Sequence, residues 1–154
     1  MDRVKLALEN ATQTKALLLG KGVLSSIATL FKEQFPGKRA IIVADKTTFE
    51  VAGKAVQRFL EEGGVEQDVP FIFDEPDMHA EWKFIERLDV HLAKTEAIAI
   101  AVGSGTINDT TKLDYINNYF HQYLDETQYI LQPILPHGIT EVHNQRKFLS
   151  CLPV

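Results

Sequence analysis

Short apolar runs alternate along the chain with longer stretches in which apolar residues recur every three or four positions, a pattern that predicts strands alternating with amphipathic helices. "KALLLG" (Lys15–Gly20) reads as a strand. Val23–Phe35 reads as a helix with Leu24, Ile27, Leu30 and Phe31 at helical spacing, stopped by Pro36–Gly37. "RAIIVAD" (Arg39–Asp45) is a buried strand. "TTFEVAGKAVQRFLEEGG" (Thr47–Gly64) is a helix with Thr47 or Thr48 as its cap and Gly63–Gly64 as its exit. "EQDVPFIF" (Glu66–Phe73) is the next strand, and its Pro70 favours an edge position or a start after the proline. The spacing then predicts a helix over His79–Thr95, with Trp82, Ile85, Leu88 and Leu92 on one face. "AIAIAV" (Ala97–Val102) is the most continuous apolar run, as a central parallel strand covered on both faces requires. The helix after it carries Leu113, Ile116, Phe120 and Tyr123 as its stripe.

This order predicts a three-layer α/β architecture with a mainly parallel sheet, in one domain over residues 1–154. Beyond Asp125 the alternation fails, and residues 115–145 read as an irregular, insertion-like stretch. "RKFLSCLPV" (Arg146–Val154) reads as one more buried strand. A parallel strand ordinarily feeds a crossover helix, so a strand without a successor reads as a domain cut from a longer design.

Composition narrows the function classes. The 154 residues are 45% hydrophobic and 24% charged, with a net charge of −5 and no run of basic residues longer than two. Nucleic-acid binding wants clustered Lys and Arg and is disfavoured. The single cysteine, Cys151, cannot form an internal disulfide and reads as an inert core thiol in an apolar strand. The first residues are too polar for a signal peptide, and no stretch approaches about 18 consecutive apolar residues. A cytoplasmic location is expected, with no membrane span.

The chemistry-bearing feature is "GSGTIND" (Gly103–Asp109), which joins the central strand to the following helix. A Gly-x-Gly at that place lets backbone N–H groups approach an anion without Cβ interference. The helix dipole and the hydroxyls of Ser104 and Thr106 add to the attraction for phosphate oxygens. A glycine-rich corner with Thr106 as a plain N-cap has the same local sequence. The dinucleotide fingerprint G-x-G-x-x-G, with an acid about 20 residues later, is absent: the first turn is "GKGVLS", with Ser25 at the third glycine's place. The acid at a strand end, Asp45, lies upstream of the "GSG" turn, where it serves either as a ribose acceptor or as the cap of its own helix.

With the acid first and the glycine turn later, "IIVADKTTFEVAG", "DEPDMHAEW" and "AIAVGSGTINDTTK" together resemble the N-terminal nucleotide-binding domain of the sn-glycerol-1-phosphate dehydrogenases. These belong with the glycerol dehydrogenases, iron-containing alcohol dehydrogenases and 3-dehydroquinate synthases. The likeness covers roughly Thr14–Leu113 and resumes at "RKFLSCLPV"; residues 115–145 have no counterpart in it. It implies a Rossmann-like domain, an NAD or NADP cofactor, and interconversion of dihydroxyacetone phosphate and glycerol 1-phosphate. Carried over position by position, Gly103, Ser104, Gly105 and Thr106 would hold the cofactor pyrophosphate, Asp45 would face the adenosine ribose, and Asp109 would lie near the nicotinamide and the substrate hydroxyls. His79 and Lys112 belong to the matched strings with weaker claims. Lys46 beside Asp45 would favour a 2′-phosphate, which leaves NAD and NADP both open.

In the resembled family the last strand leads to an "SMDG" segment and a helical domain whose Asp and His residues bind a divalent metal that polarises the substrate oxygen. This sequence ends at Val154 before such residues, so no metal ligands are assigned and weak activity in isolation is expected. His121, His137 and His143, with Asp125 and Glu141, fall within 23 residues but match no zinc spacing and read as surface groups. Two other functions fit the same residues. One is a non-enzymatic α/β module that self-associates or pairs with another subunit. The other is a 3-dehydroquinate synthase-like lyase, which the "HAEW" string disfavours.

Overall fold

The computed structural model describes residues 16, 18, 21–76, 78–79, 81–112 and 148–151. After a 3-10 turn at Val23–Ser26, helix α1 spans Ile27–Gln34 and strand β1 spans Ala40–Asp45. Helix α2 (residues 46–62) has a π-helical segment, Phe49–Gly53, between α-helical Lys46–Thr48 and Lys54–Glu62. Strand β2 is Phe71–Phe73, helix α3 is Trp82–Leu92 and strand β3 is Ile98–Val102. Residues 105–112 form helix α4, and strand β4 is Phe148–Cys151.

The four strands are parallel and lie in the order β2-β1-β3-β4. The register pairs Val43 with Phe71 and Asp45 with Phe73 on one side of β1, and Ala40 with Ile98 and Val43 with Ala101 on the other. On the far side of β3, Val102 pairs with Cys151. The chain thus runs from β1 outward to β2, then crosses back over β1 to β3. Right-handed crossovers taken in opposite directions put their helices on opposite faces of the sheet.

The core divides accordingly. Ala40, Ile42, Ala44, Ile98, Ile100 and Val102 pack with Ile27, Phe31, Val56 and Leu60 of α1 and α2. Ile41, Val43, Ala99 and Ala101 pack with Phe84, Leu88 and Leu92 of α3 and with Ile107 of α4. Successive side chains of β1 and β3 enter different layers, and both layers are apolar, which is why these strands are unbroken apolar runs. On the second face Phe73 meets Phe71 and Phe84 edge-to-face, with ring centroids 4.9 and 5.8 Å apart.

Two local expectations are corrected. The α2 cap is Asp45, not Thr47 or Thr48, because Asp45 still has extended backbone and its carboxylate reaches the Thr48 amide. On α3 the buried stripe is Phe84, Ile85, Leu88 and Leu92, while Trp82 is 55% exposed. Trp82 donates its indole N–H to Glu86 Oε1 at 2.7 Å, one turn along the helix, and needs no core partner. The reading of Pro70 holds: the regular strand begins after it, with Gln67 making only an isolated bridge to Ala40, and β2 forms one edge of the described sheet. The exit of α2 is as expected, with Gly64 at a φ of 71°.

The Lys15–Gly20 strand, apart from residues 16 and 18, lies outside the described residues, as do the 115–145 stretch and the stripe of Leu113, Ile116, Phe120 and Tyr123. Among the described residues no helix is long and apolar enough to cross a membrane.

Candidate functional site

In an open parallel sheet the crevice for a ligand forms where neighbouring strands send their connections in opposite directions, beyond the strands' carboxyl ends. Here that place lies between β1 and β3. Continuing the β1–β3 register by two residues sets Asp45 level with Gly103. The sheet therefore brings together an acid and a glycine turn that lie far apart in the sequence.

Asp45 closes a capping box. Its Oδ1 accepts the Thr48 N–H at 2.7 Å, and Thr48 Oγ1 accepts the Asp45 N–H at 3.2 Å. This bond uses one carboxylate oxygen and leaves Oδ2 outside it, so the cap and a ribose-accepting role occupy different atoms of one side chain. Asp45→Ala is expected to lower stability by about 1 kcal/mol, whereas Asp45→Asn, also a good cap, keeps most of it. Thermal melts of the two variants check this.

The glycine turn is built from the other side. A Cβ placed on Gly103 would lie 2.8 Å from Ile107 Cγ1 and 3.2 Å from Thr48 Oγ1. The turn is thus pressed between the first turn of α4 and the capping box of α2, and the absence of a side chain permits that approach. Gly105 differs: a Cβ there meets no described atom within 4 Å. Among the described residues nothing demands glycine at 105, and the space beside it is open.

Helix α4 begins at Gly105, so Ser104 rather than Thr106 occupies the cap position. The Asn108 N–H donates to Ser104 O at 3.2 Å, and the amides of Gly105, Thr106 and Ile107 precede that bond in the helix. Such amides have no carbonyl of their own helix to donate to, and at a helix start they suit an anion. Ser104 is exposed and Thr106 half-buried. Asp109 is exposed on the fifth residue of the helix, one turn later than a first-turn position, where the dipole's influence has faded.

Sequence reasoning gave no part in this site to Thr48 or to Asp74, the partner of Lys46. Thr48 joins the Asp45 cap to the Gly103 approach; its signal was the three-residue spacing of a capping box, Asp45-x-x-Thr48. Lys46, first in α2, pairs with Asp74 just beyond β2. The adjoining Glu75 pairs with Arg87 of α3, and that hydrogen bond holds its carboxyl below the usual carboxylate range.

His79 is exposed in the connection before α3, and Lys112 is exposed on α4. Among the described residues no three His, Cys, Asp or Glu side chains converge, so no metal-dependent step is assigned to them. His121, Asp125, His137, Glu141 and His143 lie outside the described residues, and nothing is described of the Cys151 side chain. A shallow groove lined by Phe71, Val90, His91 and Lys94, among others, runs along the outer face of α3, away from the β1–β3 crevice.

Comparison with known proteins agrees with the fold. An alcohol dehydrogenase from Oenococcus oeni is similar at 25% identity and a TM-score of 0.51, over 66% of this chain and 26% of its own. An iron-containing alcohol dehydrogenase from Thermococcus thioreducens is similar at 20% identity and a TM-score of 0.51, over 63% of this chain and 25% of its own. A sulfoacetaldehyde reductase from Bifidobacterium kashiwanohense, solved in complex with NAD+, matches 86% of this chain and 32% of its own at 17% identity and a TM-score of 0.52. The chain thus spans between a quarter and a third of the length of these proteins, and what it shares with them is the Rossmann-like α/β fold. None of the curated proteins compared with it matches. The model of one family, iron-containing alcohol dehydrogenase, matches residues 18–118, which takes in β1, β2, β3, the capping box and the glycine turn. The chain belongs to the iron-containing alcohol dehydrogenase family.

Proposed function

We propose that this chain is the nicotinamide-dinucleotide-binding portion of an oxidoreductase of the sn-glycerol-1-phosphate dehydrogenase type, which in the complete protein interconverts dihydroxyacetone phosphate and glycerol 1-phosphate. The observation that carries the dinucleotide reading is the pair of glycines at the β1–β3 crevice. Gly103 is required by packing against Ile107 and Thr48, but Gly105, at a helix start, faces space that is open among the described residues. The glycerol-1-phosphate assignment rests on the "DEPDMHAEW" and "GSGTINDTTK" strings.

In this reading the amides of Gly105 and Thr106, with the Ser104 and Thr106 hydroxyls, hold the pyrophosphate. Asp45 accepts a ribose hydroxyl through Oδ2 while Oδ1 keeps the helix capped. Asp109 reaches toward the nicotinamide end and the substrate hydroxyls. When bound, the nicotinamide supplies the hydride acceptor or donor. The chain's own residues bind and orient it; the single domain, a cytoplasmic location and pairing with a further subunit or domain belong to the same proposal.

Fluorescence titration of the purified 154-residue chain with NADH tests this. The expected result is saturable enhancement of NADH emission, with loss of emission from Trp82, the chain's one tryptophan. The absence of any saturable change would remove the dinucleotide reading. Robust metal-dependent reduction of dihydroxyacetone phosphate by this chain alone would overturn the expectation of weak activity in isolation.

A further inference from the structure

The same strand ends carry a device for choosing between two dinucleotides. Asp45 and Phe73 are register partners, so Lys46 and Asp74, the residues that directly follow β1 and β2, leave the two strands side by side. The Lys46 ammonium pairs with Asp74 Oδ1 across that gap. Asp74 is itself steadied: its N–H donates to Glu75 Oε2 at 3.1 Å, and Glu75 is tied to Arg87 of α3.

Stability does not account for this pair. The Lys46 and Asp74 side chains are 68% and 67% exposed, and ion pairs so placed add little to a fold. A lysine in the first turn of a helix also opposes the helix dipole. The pair does have a clear electrostatic consequence. The ends of β1 and β2 present two carboxylates, Asp45 and Asp74, against one ammonium that is already engaged.

We propose that Asp74 is a specificity-determining residue for the cofactor's 2′ position, engaging Lys46 so that a ribose 2′-hydroxyl is accepted and a 2′-phosphate refused. This rests on the reading of the crevice as a dinucleotide site, with the ribose beside Asp45. A 2′-phosphate adds up to two negative charges beside two carboxylates, which repel it. A 2′-hydroxyl meets Asp45 as a hydrogen-bond donor and needs no cation. Without the Asp74 carboxylate, the flexible Lys46 stem would bring a free ammonium to the 2′ position.

The test is fluorescence titration of NADH and NADPH on the full 154-residue chain as wild type, Asp74→Asn, and Asp74→Asn with Lys46→Met. Wild type is expected to bind NADH more tightly than NADPH. Asp74→Asn should strengthen NADPH binding by about fivefold to tenfold and change NADH binding by less than about twofold. The added Lys46→Met should return NADPH binding to the wild-type level, and the gain should shrink as salt is raised. Equal or tighter NADPH binding by wild type overturns the proposal. So does an Asp74→Asn variant with unchanged preference, or a gain that survives Lys46→Met. In all of those cases NADH still binds, whereas loss of binding by both dinucleotides to wild type would strike the site reading itself. Coincident thermal melts show that the variants fold.

Discussion

Gly105→Leu is expected to separate binding from stability. The variant should melt within about 0.5 kcal/mol of the wild type, because a side chain at 105 enters open space and Gly105 does not have the positive φ that disfavours side chains. Leucine is also a better helix former than glycine, which works in the same direction. NADH binding should nonetheless fall by about a hundredfold, equivalent to roughly 2.7 kcal/mol, because the added side chain stands where the pyrophosphate must approach the amides. Gly105→Ala should give a smaller loss in the same sense. Unchanged NADH affinity in the leucine variant would show that the open space beside Gly105 is not the cofactor's.

This contrast marks what was legible in the sequence and what was not. "AIIVA" and "AIAIAV" announced β1 and β3 because each of their residues faces one of two apolar layers, leaving no polar face to confuse the period. The turn after β3 was legible as a strand-to-helix corner because two glycines close that apolar run, but the same residues left open whether they serve packing or an anion. Its partners were not. That Asp45 lies level with Gly103, and that Lys46 meets Asp74, follows from β1 lying between β2 and β3. No local pattern encodes strand order. Trp82 was misplaced for a different reason: hydrophobicity counted it as core, but its indole N–H finds Glu86 on its own helix, and Phe84 takes the buried place. The sequence left open whether Asp45 was a cap or a ribose acceptor. The structure makes it a cap through Oδ1 and leaves Oδ2 outside that bond, so the two roles do not compete for one atom.

Gly103→Ala is expected to act in the opposite manner to changes at Gly105, through the fold. The new Cβ would lie 2.8 and 2.9 Å from Cγ1 and Cβ of Ile107, distances that real contacts do not sustain. Ile107 has little room to yield: it is fully buried among Ile41, Val43, Phe84 and Leu88, and as a β-branched residue in a helix it is held to one preferred rotamer. On the other side stands Thr48 Oγ1, 3.2 Å away and already engaged in the Asp45 capping box. Relief therefore requires α4 to move away from the sheet or the cap to open. Overpacking of this kind costs about 1–3 kcal/mol, which in a chain of this size lowers the melting temperature by roughly 3–10 °C. A double-mutant cycle identifies the cause. Ile107→Ala alone should destabilise by about 2–5 kcal/mol as a cavity mutation. In the Gly103→Ala background it also removes the obstacle, so the double variant should be more stable than the sum of the single losses by at least about 1 kcal/mol. Simple additivity would mean that the Ile107 contact is not what requires glycine at 103. A positive coupling would show that the start of α4, whose amides form the proposed pyrophosphate site, is held in place by its packing against the sheet before any ligand arrives.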